Sequence, residues 1–316
     1  MLEQKTLKNV AFVFPGQGSQ YVGMGKEIVQ EFPIAAKIFN EANTALEFDI
    51  QKLCFEGPEE ELKKTPITQP AILTVSVALF EVLKEKGFYP EVAAGHSLGE
   101  YSALTAAGTI DFMDAVHLVH LRGKFMQSAT PAGEGAMAAV LGMPFEKVLE
   151  ITSYATSGIV SAANFNAPDQ VVISGEARAV AEVGGECKKE GAKRVVPLAV
   201  SAPFHCSLMQ PAAEKLQAEL AKIKFKDAAF PVVANVTGEY VSRADEIKQK
   251  LVEQVTGAVL WQQSVENMVS HGIHTFVEVG PKRVLSGLIK RISPQVKILN
   301  VEDMASLNET LAVLGG

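Results

Sequence analysis

Residues Gly95-His96-Ser97-Leu98-Gly99 spell G-x-S-x-G, the sequence form of a nucleophile elbow. In an elbow a serine sits on a sharp strand-to-helix turn, and small flanking residues let backbone pack closely around it. A serine hydroxyl is a weak nucleophile and needs a base, usually a histidine held by a third group. Six histidines compete for that role. His96 adjoins Ser97, and neighbouring side chains on a turn point apart. His117 and His120 lie three apart on one predicted helix without an H-E-x-x-H pattern, and read as structural. His271 and His274 bracket Gly272 at a predicted helix end, an ordinary non-catalytic setting. That leaves His205, in Ser201-Ala-Pro-Phe-His-Cys206, which its chain position leaves open between a base and a satisfied loop histidine. Cys206 beside it lacks an elbow. Arg122 falls at helical spacing with Leu118 and Met126, and taken alone reads as a surface residue snorkelling over apolar neighbours.

The elements that position these residues follow from the pattern. Val10–Phe14 (VAFVF) is an apolar run of strand length, followed at once by Pro15-Gly16-Gln17-Gly18-Ser19-Gln20. That loop is no dinucleotide fingerprint, because Tyr21 stands where G-x-G-x-x-G requires glycine. Residues 32–46 read as helix. Thr65 or Thr68 caps a predicted helix to Lys86, with Ile72, Val75, Leu79 and Val82 as its buried face. A buried strand over 91–94 enters the elbow, a helix over 98–107 leaves it, and Asp111 caps another to about Gln127.

Composition changes at Ser128–Gly135 (SATPAGEG), a hinge-like linker. Beyond it the order strand 136–141, helix 144–155, strand 159–164, strand 171–174, helix 176–190, strand 194–198 is the β-α-β-β-α-β pattern of a ferredoxin-like domain. The remainder alternates: helix 208–223, strand 231–235, helices near 244–254 and 262–271, strand 275–279, helix 283–292, strand 296–301 and a last helix. Such alternation predicts an α/β protein with a parallel sheet covered on both faces. The expected division is a discontinuous large domain, 1–128 with 199–316, and a small inserted domain, 129–198.

At 316 residues, 47% hydrophobic and 21% charged, the chain has ample material for a core. No uninterrupted apolar run approaches the roughly 18 residues of a membrane helix, and the N-terminus does not read as a secretory signal. Three cysteines, Cys54, Cys187 and Cys206, are widely spaced, so neither disulfides nor a metal site is expected. A net charge of −7 argues against nucleic-acid binding, and a cytoplasmic location with no membrane partner is expected.

Five ordered motifs carry a resemblance. Pro15–Gln20, Gly95–Tyr101 (GHSLGEY), Arg122–Gln127 (RGKFMQ), Phe204-His205 and Glu278-Val279-Gly280-Pro281 together resemble the malonyl-CoA:acyl-carrier-protein transacylases of dissociated fatty acid synthesis. They are similar also to the acyltransferase domains of polyketide synthases. The resemblance implies an α/β-hydrolase-like large domain with a ferredoxin-like insert. It implies malonyl transfer through a serine ester, with malonyl-CoA and acyl carrier protein as partners and no bound cofactor. Ser97 would be the nucleophile and His205 its base; the backbone N–H groups of Gln17 and Leu98 would form the oxyanion hole; and Arg122 would pair with the malonyl carboxylate. His96, Met126 and Phe204 would line the pocket, with Phe204 leaving little room for an α-methyl branch. Asn166 and Asn235 match asparagines near the family's site. Two departures stand out. The family holds its histidine with a backbone carbonyl, often of a glutamine just before a tryptophan; Leu260 precedes Trp261 here and inherits that role. The family's small residue after Gly-Pro is Lys282. A serine thioesterase or esterase, a polyketide-pathway transferase and a non-catalytic carrier-docking subunit are the rival readings. A monomer is expected, with Lys193-Arg194 and Lys290-Arg291 as candidate docking positions for an acidic carrier protein.

Overall fold

Val10–Phe14 is apolar at every position because both faces of its sheet are covered. Val10, Phe12 and Phe14 face one core, where Phe80 meets both phenylalanine rings edge-on at 6.4 Å. Ala11 and Val13 face the other, with Trp261, Val265, Leu285 and Ile289. This computed structural model describes residues 5–131, 133–200 and 202–315; Ser201, named above with the His205 segment, lies outside them.

The sheet has six strands in the order Tyr240–Val241, Val232–Val233, Val92–Gly95, Val10–Phe14, Thr275–Val279, Lys297–Val301. All neighbours are parallel except the edge pair Tyr240–Val241 and Val232–Val233. The register pairs Phe14 with Gly95, so the loops that follow these two central strands leave the same end of the sheet side by side. One begins at Pro15, the other is the elbow. Parallel order thereby places Gln17 beside Ser97 across eighty residues of sequence.

A second sheet, order Val160–Ala167, Gln170–Glu176, Gly135–Leu141, Arg194–Pro197, is antiparallel throughout. Helices Phe145–Ser153 and Ala177–Lys189 pack on it around Val140, Val148, Ile173 and Val183, giving the ferredoxin-like order expected from the pattern.

Several elements depart from expectation for physical reasons. The Thr65–Glu85 helix is buried nearly all round, not along one face. By length and composition it is apolar enough to cross a membrane, a property that counting uninterrupted runs misses because threonine, serine and glutamine break the run. Its apolar window is 83% buried inside the protein, so this surface is already spent on the core. Strand 231–235 shrinks to Val232–Val233, and Asn235 leaves the ladder to serve the site. The helix expected over 208–223 begins as a 3₁₀ turn, Ser207–Met209, and becomes α-helical only over Gln210–Leu220, with Pro211 in its first turn.

Candidate active site

Ser97 stands between the Val92–Gly95 strand and the Leu98–Ala106 helix, with φ 50° and ψ −102°. A non-glycine residue there costs about 1–3 kcal/mol, which the surrounding structure must offset. The glycines of the motif exist for close approach. A Cβ on Gly95 would run into the carbonyl of Gly99, and one on Gly99 into the carbonyl oxygen of Phe14.

Ser97 Oγ lies 2.8 Å from His205 Nε2, and His205 Nδ1 lies 2.8 Å from the carbonyl oxygen of Gln254. A carbonyl only accepts, so Nδ1 carries the proton and Nε2 is free to accept from the serine hydroxyl. This corrects the assignment of Leu260. Its carbonyl accepts instead from the backbone N–H and hydroxyl of Ser264, inside the Trp261–Ser270 helix that it precedes. Gln254 belongs to the last turn of the Ala244–Thr256 helix, where carbonyls have no intrahelical donor. That end of the helix dipole also favours a positive imidazole as it takes up a proton. The glutamine expected beside the tryptophan thus sits seven positions before it.

Arg122, on the Phe112–Gln127 helix capped by Asp111, is only 1% exposed, so it does not snorkel. Its Nη1 donates to Gln69 Oε1 at 2.8 Å; its Nη2 donates to Gln254 Oε1 at 2.9 Å and to Ser97 Oγ at 3.1 Å. Its Nε is buried without a partner among the described residues. Tyr101 offers its ring face at 5.3 Å. A buried guanidinium is hydrogen-bonded here by neutral amides and a hydroxyl, with Nε still unmet.

Gln17, His96, Ser97, Leu98, Arg122, Met126, Phe204 and His205 line one cavity of about 320 Å³. The small domain closes it with Met137, Ala139, Asn164, Asn166 and Val172. Leu98 opens its helix, so its N–H has no partner within that helix. Gln17 lies between Gly16, where a Cβ would strike the His96 carbonyl, and Gly18, whose φ of +103° suits glycine. His96 Nε2 is 2.7 Å from Asn166 Oδ1, and its ring lies 5.8 Å from that of Trp261. His96 is tied to its neighbours rather than to Ser97.

Burial pushes the His205 imidazole down to about 3, helped by the Arg122 cation and opposed by its bond to Gln254. Neutral His205 is therefore the resting form. Burial raises the Glu100 carboxyl to about 7 against hydrogen bonds from Gln254 and Asn235 and the attraction of Arg122. Burial likewise raises the Cys206 thiol, which points at the Pro203 carbonyl and stays protonated.

His120 bonds the Pro66 carbonyl through Nδ1, while His271 and His274 sit on the surface side of the fold. Glu278 of the Glu278-Val-Gly-Pro281 motif is buried and accepts from the backbone N–H groups of Leu285 and Ser286, capping the helix that closes the cavity's rim. Lys282 adopts φ +62°, which explains why a small residue suits that position, and its Nζ reaches the Gly18 carbonyl at 3.3 Å. Lys290 and Arg291 are engaged: Lys290 with the Pro294 carbonyl, Arg291 with Asp169 and Gln170 of the small domain. Gln69 and Gln254 carry no motif, and Glu100 lies within Gly95–Tyr101 with nothing in the motif to set it apart there. Polarity inside an otherwise apolar helix is the signal for Gln69 and Glu100; Gln254, in the charged Ala244–Thr256 helix, has none.

Residues 11–308 match the family described as acyl transferase domain. The chain is 46% identical over 310 residues to a malonyl CoA-acyl carrier protein transacylase of Bacillus subtilis, covering 98% of each chain. It is 52% identical over 284 residues to the protein of that name in Escherichia coli, covering 89% of this chain and 92% of the other. Among solved structures, it is similar to a malonyl transacylase in complex with a type II polyketide synthase acyl carrier protein. There the TM-score is 0.94 and the identity 48%, over 96% of this chain and 99% of that one.

Proposed function

The chain belongs to the acyl transferase family, among its malonyl-CoA:acyl-carrier-protein transacylases, and from that premise we propose how Ser97, His205 and Arg122 move the malonyl group. The enzyme transfers malonyl from malonyl-CoA to acyl carrier protein in two steps. Ser97 Oγ attacks the thioester carbonyl and gives its proton to His205 Nε2; the C–S bond breaks, and the CoA thiolate takes that proton. The phosphopantetheine thiol then attacks the serine ester, losing its proton to His205, which returns it to Ser97 Oγ as the C–O bond breaks. In each step the N–H groups of Gln17 and Leu98 receive the charge on the carbonyl oxygen, where fixed donors are worth more than water. The imidazolium is steadied by the Gln254 carbonyl. Thioesters are already activated, so the reaction as written draws on no metal or bound cofactor.

The observation that carries this reading is Arg122. A buried cation, hydrogen-bonded directly to neutral groups alone among the described residues and 3.1 Å from the nucleophile, favours a substrate that brings a carboxylate into direct contact. The planar fork suits bidentate binding of that group. Phe204 beside His205 favours malonyl over α-branched acyl groups. We take residues 129–198 as the insert that closes the pocket over a large catalytic part, 1–128 with 199–316. We infer a cytoplasmic monomer of fatty acid biosynthesis. Lys193 and Arg194, exposed on the small domain, are our docking candidates for the acidic carrier, since Lys290 and Arg291 already have partners. Charge reversal at Lys193 and Arg194 should raise KM for the carrier protein and leave acylation by malonyl-CoA unchanged; an unchanged KM removes the patch.

Intact mass measurement after brief incubation with malonyl-CoA, with peptide mapping, tests the route. A malonyl adduct on Ser97, discharged by holo carrier protein, is expected. Free malonate without transfer would make the protein a hydrolase.

A further inference from the structure

Glu100 takes no part in the steps above, yet its carboxyl lies beneath the nucleophile. Ser97-x-x-Glu100 has the spacing of a capping box, in which the serine hydroxyl would be consumed by the helix start. No such bond forms. The Glu100 N–H donates to the Ser97 carbonyl at 3.1 Å, which leaves Oγ for His205 and Arg122, and Asn235 Oδ1 accepts from the Ser97 N–H at 2.7 Å in the place of the Glu100 carboxylate. Glu100, 2% exposed, turns inward, and its Oε2 accepts from Gln254 Nε2 at 2.8 Å and from the backbone N–H of Asn235 at 3.1 Å.

The Gln254 carboxamide is the centre of this arrangement. Its Nε2 donates to Glu100 and also to the Ser97 carbonyl at 3.0 Å, while its Oε1 accepts from Arg122 Nη2. A carboxamide has one donor end and one acceptor end. Turned over, Gln254 would present its NH₂ to the guanidinium and its oxygen to two other oxygens. Gln254 is fully buried, so water cannot repair that mismatch.

We propose that Glu100 is a positioning residue for malonyl transfer, fixing the orientation in which Gln254 both braces the strained Ser97 backbone and holds Arg122 at the carboxylate seat. A carboxyl oxygen serves because it accepts from both donors and offers Gln254 no competing N–H. A glutamine at this position fills the same space but lets the pair of amides rotate together.

This inference rests on the roles assigned to Ser97 and Arg122, and a double-mutant cycle separates the two. Glu100→Gln, Gln254→Ala and the double variant are compared for acylation by malonyl-CoA and by acetyl-CoA in a rapid-quench assay. Gln254→Ala keeps the backbone carbonyl that holds His205. Each single change should slow malonyl acylation about tenfold or more, and the double variant should stay within about threefold of the slower single, because both act through one amide. Preference for malonyl over acetyl should fall in every variant. Multiplicative losses, a wild-type rate for Glu100→Gln, or equal losses on both substrates would overturn the proposal. Should Glu100→Gln not fold, Glu100→Asp enters the cycle with the same expectation, since its shorter carboxyl withdraws from Gln254. Wild-type protein that formed no adduct on Ser97 would instead refute the underlying assignment.

Discussion

Replacing Arg122 should change which acyl group the enzyme accepts more than whether it can be acylated. Among the described residues, Arg122 hydrogen-bonds only Gln69, Gln254 and Ser97, with Nε unpartnered and the Tyr101 ring against it. A malonyl carboxylate entering the cavity would supply the direct anionic contact this cation lacks, since Glu100 reaches it only through Gln254. Removing one member of a buried, hydrogen-bonded pair costs about 3–5 kcal/mol. At 1.36 kcal/mol per factor of ten, Arg122→Ala should slow acylation by malonyl-CoA by roughly two to four powers of ten. Acetyl-CoA brings no carboxylate. For it the wild-type cavity keeps a guanidinium with no anion in direct contact, and the variant removes that charge, so its acylation should change by less than about tenfold in either direction.

The contact from Arg122 to Ser97 Oγ serves both substrates, so its loss cancels in their ratio. Rapid-quench acylation with each substrate, measured on wild type, Arg122→Ala and the bulkier apolar Arg122→Met, gives that ratio directly. Arg122→Met guards against a collapsed cavity because it keeps much of the side-chain volume. A malonyl-to-acetyl preference that survives in both variants would refute the carboxylate seat, and the role of Arg122 would then reduce to orienting Ser97.

The remaining expectations follow from the same geometry. Because burial and Arg122 hold His205 near 3, the base stays neutral well below the usual histidine range, and acylation should show no acid limb around pH 6.5; a limb there would contradict the buried setting. In stability the sign is opposite for the two buried groups. Unfolded His205 binds its proton more readily, so its contribution is lost as pH falls from about 6.5. Folded Glu100 binds its proton more readily, so its contribution is present at low pH and fades as pH rises through about 7. Glu100→Gln should therefore lose about 2 kcal/mol more than wild type between pH 7 and pH 5 in urea titrations; parallel losses would show that Glu100 is not buried. Gly99→Ala would press a methyl group into the Phe14 carbonyl and should lower stability by about 1–3 kcal/mol with loss of acylation, so an active variant of unchanged Tm would sink the close-approach argument. Phe204→Ala should raise the methylmalonyl-to-malonyl ratio in acylation about tenfold or more, and an unchanged ratio would remove Phe204 from selectivity.

What could be read from the sequence divides along a physical line. Ser97 and the two sheet strands around it were legible because a sharp turn and a buried parallel sheet each force residue types locally: glycines where backbone crowds, unbroken apolar runs where both faces are covered. The ferredoxin-like insert was legible for the same reason, each element carrying its own period. Arg122 was ambiguous, since helical spacing shows which face a residue shares but not whether another layer covers that face; the Thr65–Glu85 helix, itself buried nearly all round, is that cover. The histidine's support was misplaced at Leu260 because a backbone carbonyl leaves no mark on residue type. Any residue can supply one, and only the end of the Ala244–Thr256 helix decides which carbonyl is free. Glu100 stays unmarked inside its motif because its partners, Gln254 and the Asn235 backbone, belong to distant elements. Both failures share a cause. Where a side chain or carbonyl answers to a distant element rather than to its own turn, local pattern points to the local partner, and the structure of the site lies in the departures from it.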